Sequence, residues 1–100
     1  MLKTNIKGNE IDGNLDIFIA DNCEVLIHGD PEGLRSFAQL ILKLADLNQE
    51  EVDNQHLPIG AREHYHIRPD IEISKSSVNV IIGRLDAKGT GEFYSRFIAK

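Results

Sequence analysis

The stretch Asp30 to Leu47, DPEGLRSFAQLILKLADL, constrains the chain more than any other. Asp30 is a good N-cap, because its carboxylate can accept from the free backbone N–H groups of a first helical turn. Pro31 follows at the first helical position, where its fixed φ fits and its missing N–H costs nothing. Glu32 places negative charge near the positive end of the helix dipole. Leu34, Phe37, Ala38, Ile41 and Ala45 then recur at helical spacing. Arg35, Ser36, Gln39, Lys43 and Asp46 fall on one narrow polar face. Leu40, Leu42, Leu44 and Leu47 widen the apolar arc to roughly 220°, well past the ~100° stripe of a surface helix. The arc centres near Ile41, and the helix is expected to be covered on more than one side.

Around this helix the chain reads as strands. Leu2, Thr4 and Ile6 alternate with polar neighbours, as do Leu15, Ile17 and Ile19, and then Cys23, Val25 and Ile27. Asp21-Asn22 suits a tight turn between the last two. After the helix, NQEEVDNQHLPIGARE has no clean period. His64 to Ile67 is a short strand, Ile71 to Ile73 alternates briefly, and Val78 to Ile82 is the most β-prone run. Glu92 to Ile98 could return as a last strand. Strands around one helix, without βαβ alternation, predict an α+β fold (β-β-β-α-β-β-β): a mainly antiparallel sheet of five to seven strands with one long central helix.

One hundred residues make a single α+β domain over 1–100. One cysteine excludes an internal disulfide and suits a reducing compartment. No apolar run reaches the ~18 residues of a membrane span, and MLKTNIKGNE lacks the apolar core of a signal peptide. These features predict a cytoplasmic protein with no membrane partner. The net charge of −5 is unevenly placed. Residues 1–29 carry −3, residues 30–55 carry −4 and residues 56–100 carry +2. An acidic front half argues against nucleic acid, which needs a basic footprint. It suits a basic protein partner, through complementary potential. Asp46, Glu50, Glu51 and Asp53 form the sharpest acidic run, with no basic residue between Lys43 and Arg62. They read either as a solvated loop or as a negative rim for a partner.

Candidate chemistry is sparse. His64-x-His66 on a strand would put both imidazoles on one face, close enough to share a metal. Zinc needs three or four ligands, and the plausible additions Cys23, His28, His56 and Glu63 have no ligand spacing. The plainer reading packs one histidine and exposes the other; a third puts both on a partner-binding face. Cys23 reads as an inert buried thiol within a strand. Ser36 has no elbow motif, and Gly89-Thr90-Gly91 is too short for a phosphate loop. No catalytic residue and no cofactor is therefore assigned.

Three quoted stretches carry a family resemblance. Asp30, Glu32, Gly33 and Leu34 form an acid-x-Glu-Gly-Leu helix start, His64 and His66 follow the loop, and Ser77, Ile81 and Ile82 form a Ser-x-x-x-Ile-Ile strand. Over roughly 25–84 the chain resembles the immunity protein 32 family of bacterial polymorphic toxin systems. It departs from that pattern at Arg68 and in its tail, GTGEFYSRFIAK. The resemblance implies a small non-enzymatic α+β inhibitor of the bacterial cytoplasm that neutralises a cognate toxin by direct binding. Partner contacts then fall to Asp46, Glu50, Glu51 and Asp53 as rim and His64, Tyr65 and His66 as anchor. Two other readings stand beside it: a metal-binding enzyme or sensor using His64 and His66, and a homodimer pairing the apolar arc of the helix with its copy.

Overall fold

The computed structural model describes residues 11–100. The strand expected at Leu2 to Lys7 lies outside them. The described elements are β1 (Leu15–Ile19), β2 (Val25–Gly29), α1 (Pro31–Asp46), a 3-10 turn (Gln49–Glu51), β3 (His64–Ile67) and β4 (Val80–Gly83). β1 pairs antiparallel with β2, and β3 antiparallel with β4, as separate two-stranded sheets. The α+β class holds, but the expected single sheet of five to seven strands does not. Among the described residues there are four strands in two hairpins.

The reason lies on the free edge of β1. Asp16 and Phe18 hydrogen-bond toward β2, so Leu15 and Ile17 turn their backbone groups to the other side. No regular strand among the described residues meets them there. Ser74 N–H donates to Leu15 O (3.0 Å), Val78 N–H donates to Ile17 O (2.9 Å), and Ile17 N–H donates to the Ser77 hydroxyl (2.9 Å). A side-chain oxygen stands where a strand carbonyl would be, and the ladder stops. The Asp16 carboxylate fastens the same joint by accepting from the hydroxyls of Ser76, Ser74 and Ser77. These three bonds, Ser76's first, hold its carboxyl below the ordinary aspartate value.

Two further expected strands are absent. Ile71–Ile73 folds into a turn, in which the N–H groups of Ile71, Glu72 and Ile73 all donate to Arg68 O. Arg68 also clasps Glu72 through its side chain (Nη2 to Oε2, 2.6 Å). Burial pushes the Glu72 carboxyl up, but the bonds and charge of Arg68 outweigh it and leave it below its usual value. The departure at Arg68 from the family pattern is thus a local structural clasp. Glu92–Ile98 carries no strand. Of the β-prone run Val78–Ile82, residues 80–82 enter β4 and pair with β3, while Val78 bonds to Ile17 of β1.

The helix begins as its sequence requires. Asp30 Oδ1 accepts from Gly33 N–H (2.7 Å) and from Asn14 N–H (3.0 Å), while Oδ2 accepts from Asn14 Nδ2 (2.8 Å). Asn14 supplies the largest share of the effect that lowers the Asp30 carboxyl. Its other end is closed by Arg84, whose Nη1 donates to Leu44 O (3.0 Å) and Leu47 O (2.8 Å). A cation there offsets the orphan carbonyls and the negative end of the dipole. Asp86 holds the same guanidinium in two-point contact at 2.9 Å.

Both hairpins pack on one side of α1. The core joins Leu15, Ile17, Leu40, Ile67 and Ile73, with Phe37, Tyr65, Val80 and Ile82 against it. Among the described residues the helix is covered on one side only. Leu40 and Leu44 are buried, while Leu34, Ile41 and Leu42 remain exposed. The covered face is therefore centred on Leu40 rather than Ile41.

Candidate functional site

The four acids of the expected rim lie on the connection from α1 to β3. Asp46 ends the helix, Glu50 and Glu51 lie in the 3-10 turn, Asp53 follows, and all four are exposed. Among the described residues the ion pairs are His56–Glu63, Arg68–Glu72 and Arg84–Asp86, and none includes these four. Two have backbone partners: Glu50 Oε2 accepts from Gly89 N–H (2.7 Å), 39 residues on, and Asp53 Oδ1 from Gln55 N–H (3.0 Å). Four exposed carboxylates on one loop project negative potential into solvent, offset in part by the Lys88 ammonium bonded to Val52 O and Asn54 Oδ1.

The loop is held by residues that the sequence pattern did not single out. Gln49 is buried. Its Oε1 accepts from Glu63 N–H (2.8 Å), and its Nε2 donates to Asp86 O (2.9 Å) and Asp86 Oδ2 (3.1 Å). The side chain thereby brings the start of β3 against the 3-10 turn, so the two ends of the loop meet. Lys88, only 4% exposed, donates from Nζ to Val52 O (2.6 Å) and Asn54 Oδ1 (2.8 Å). The partners of these two side chains lie 14 and 34 to 37 residues away along the chain, so no local periodicity marks them.

The expected anchor splits. His64 and His66 point outward and are exposed, while Tyr65 between them turns inward. Tyr65 packs against the core, opposite Ile82. Burial pushes its phenol up, and Glu63 adds to the effect. The alternation of a strand requires this division: the two histidines can share a face only without Tyr65.

The imidazoles of His64 and His66 lie edge to face, with centroids 4.9 Å apart. His64 Nδ1 is 3.0 Å from Arg62 O, a bond that requires the proton on Nδ1. The other suggested ligands lie apart. His56 pairs with Glu63 at 3.2 Å. His28 packs on Phe18 in β1–β2. Cys23, expected as a buried strand thiol, is exposed in the β1–β2 turn at a left-handed φ of 68°. Among the described residues no group of three or more His, Cys, Asp or Glu side chains comes together. A bound metal would stabilise the fold by linkage. EDTA is expected to leave the melting temperature of the purified protein unchanged, in the wild type and in His64→Ala alike. A fall in the wild type that is absent from His64→Ala would establish a metal site.

The same geometry explains the three motif stretches. Asp30 and Gly33 form the joint with Asn14, His64 and His66 present the outer face of β3, and Ser77 closes the edge of β1. The profile of the immunity protein 32 family matches residues 24–85, which include α1, β3 and β4. The chain belongs to the immunity protein 32 family. Comparison with curated proteins and with solved structures gave no match. No helix among the described residues is long and apolar enough to cross a membrane.

Proposed function

We propose that this protein is a non-enzymatic inhibitor of a bacterial polymorphic toxin system, acting in the cytoplasm by binding its cognate toxin directly. The observation that carries the reading is the family match over residues 24–85. The exposed acids Asp46, Glu50, Glu51 and Asp53, none of them in an ion pair among the described residues, support it as a rim for a basic surface of the toxin. His64 and His66 contribute the adjoining outer face of β3. Tyr65 contributes through the packing that holds this strand and not by contact.

Rim charges act mainly on association, through steering that salt screens. The test is surface-plasmon kinetics against the toxin encoded beside the gene, at two ionic strengths. Replacing the four acids by their amides is expected to slow association and to flatten its salt dependence. Fold stability should change little, since exposed charges contribute little. Association insensitive both to salt and to the amide replacements would remove the rim. No binding by the wild type would remove the inhibitor reading itself.

A further inference from the structure

The outer face of the second hairpin carries a built depression of the opposite sign to the acidic loop. It is a cavity of about 470 Å³, whose lining includes His64, Ile81, Gly83, Leu85, Tyr94 and Arg96. Ile81 is 63% exposed and Tyr94 46%. Gly83 pairs with His64 across the hairpin, and a Cβ there would lie 3.0 Å from His64 Cβ. A bare backbone at this position leaves the floor open.

The aromatic wall is fixed before any partner arrives. Arg62 places its guanidinium 4.1 Å from the Tyr94 ring centroid. The same guanidinium group donates from Nε to Leu85 O and from Nη2 to Glu92 O, both at 2.8 Å. These bonds tie the irregular C-terminal segment to the hairpin and hold the ring on edge of the depression. A preorganised tyrosine loses little entropy on binding and is a common hot-spot side chain.

The charges near the depression do not cancel. The lining holds Arg84 and Arg96 and no acidic side chain, and Arg84 is matched by Asp86. Arg62 meets only carbonyls and the ring, and Arg96 has no hydrogen bond or ion pair among the described residues. Glu92 is the one acidic side chain on the segment itself, against the basic side chains of Arg96 and Lys100. An excess of cation over an apolar floor fits an acidic polypeptide segment that also carries an apolar side chain. Nucleic acid fits less well, because a chain of net charge −5 repels a polyanion at longer range.

We propose that this depression docks an acidic segment of the toxin, with Tyr94 and Ile81 receiving its apolar side chain and Arg96 and Arg62 its carboxylates. The proposal rests on the inhibitor reading above and adds a second pole to it. An acidic rim and a basic depression on one molecule fix the orientation of a bound partner, because the reversed pose sets like charges together.

The test compares wild type, Arg96→Glu and Tyr94→Ala for binding to the neighbouring toxin by surface-plasmon kinetics. Melting temperatures are measured alongside, and Arg96→Glu breaks no hydrogen bond or ion pair among the described residues. Arg96→Glu is expected to slow association, and Tyr94→Ala to raise the dissociation rate about tenfold or more. Wild-type binding with both variants unchanged overturns the docking surface and leaves the inhibitor reading intact. Failure of the wild type to bind overturns both. A labelled single-stranded RNA oligonucleotide is titrated in parallel; binding that Arg96→Glu abolishes would assign the depression to nucleic acid and overturn the proposal.

Discussion

Gly33→Ala is expected to destabilise the protein by about 3 kcal/mol or more, the upper range of steric overpacking. Ordinary helix physics predicts the reverse. Alanine in place of a helical glycine normally gains roughly 0.5–1 kcal/mol, because glycine loses the most backbone freedom on folding. Here a Cβ would sit 1.9 Å from Asn14 O, 2.6 Å from Asn14 C and 3.0 Å from Asn14 N. All three are backbone atoms of a residue held on both sides by Asp30. A flexible side chain would swing away, but this backbone cannot move without breaking the cap and the start of β1. Urea melts of Gly33→Ala and of Gln39→Ala, an exposed position on the same helix, would check it. Gln39→Ala should stay within about 0.5 kcal/mol of wild type. A Gly33→Ala midpoint at or above the wild-type value would mean that Asn14 does not sit against the first turn.

Leu40→Ala is expected to cost about 2–5 kcal/mol, the range for a buried leucine that leaves a cavity. Leu40 is 6% exposed and belongs to the core shared by both hairpins. Its neighbour Ile41 is 40% exposed, so Ile41→Ala removes contacts already half open to water and should cost about 1 kcal/mol or less. The informative measurement is the order of the two denaturation midpoints. If Ile41→Ala proved the more damaging, the covered face of α1 would be rotated from the one described.

That comparison marks where the sequence stops being legible. The cap at Asp30 and Pro31 and the first hairpin are written in nearest-neighbour chemistry, and they can be read without a structure. The phase of the helix cannot, because an apolar arc of roughly 220° has several centres that satisfy its periodicity equally well. The strands expected at Ile71–Ile73 and Glu92–Ile98 failed for a related reason. Alternation shows that a segment can be extended, not that a partner edge awaits it. Arg68 and Glu72 close the first into a turn, and Arg62 fastens the start of the second through carbonyl bonds and a ring contact.

Site residues divide along the same line. The acidic run was visible as charge and is exposed. The inward turn of Tyr65 follows from strand alternation, once His64 and His66 are set outward. Gln49, Arg84 and Lys88 were not visible as a set. Each acts on a group brought near only by the finished fold, and the bonds from Arg84 to the helix end span 37 and 40 residues.

The fastening of Asp16 to Ser74, Ser76 and Ser77 has a consequence in time. Each hairpin and the helix close over short distances, but this joint spans 58 to 61 residues. A ribosome adds roughly 5–20 residues per second, so about 3–12 s separate the synthesis of Asp16 from that of Ser77. Until Ser77 emerges, the outer edge of β1 has none of the bonds to Ser74, Ser77 and Val78 that later cover it. Open strand edges template pairing between chains. The nascent chain therefore passes through a window in which this strand edge is open to pairing with neighbouring copies on the same message.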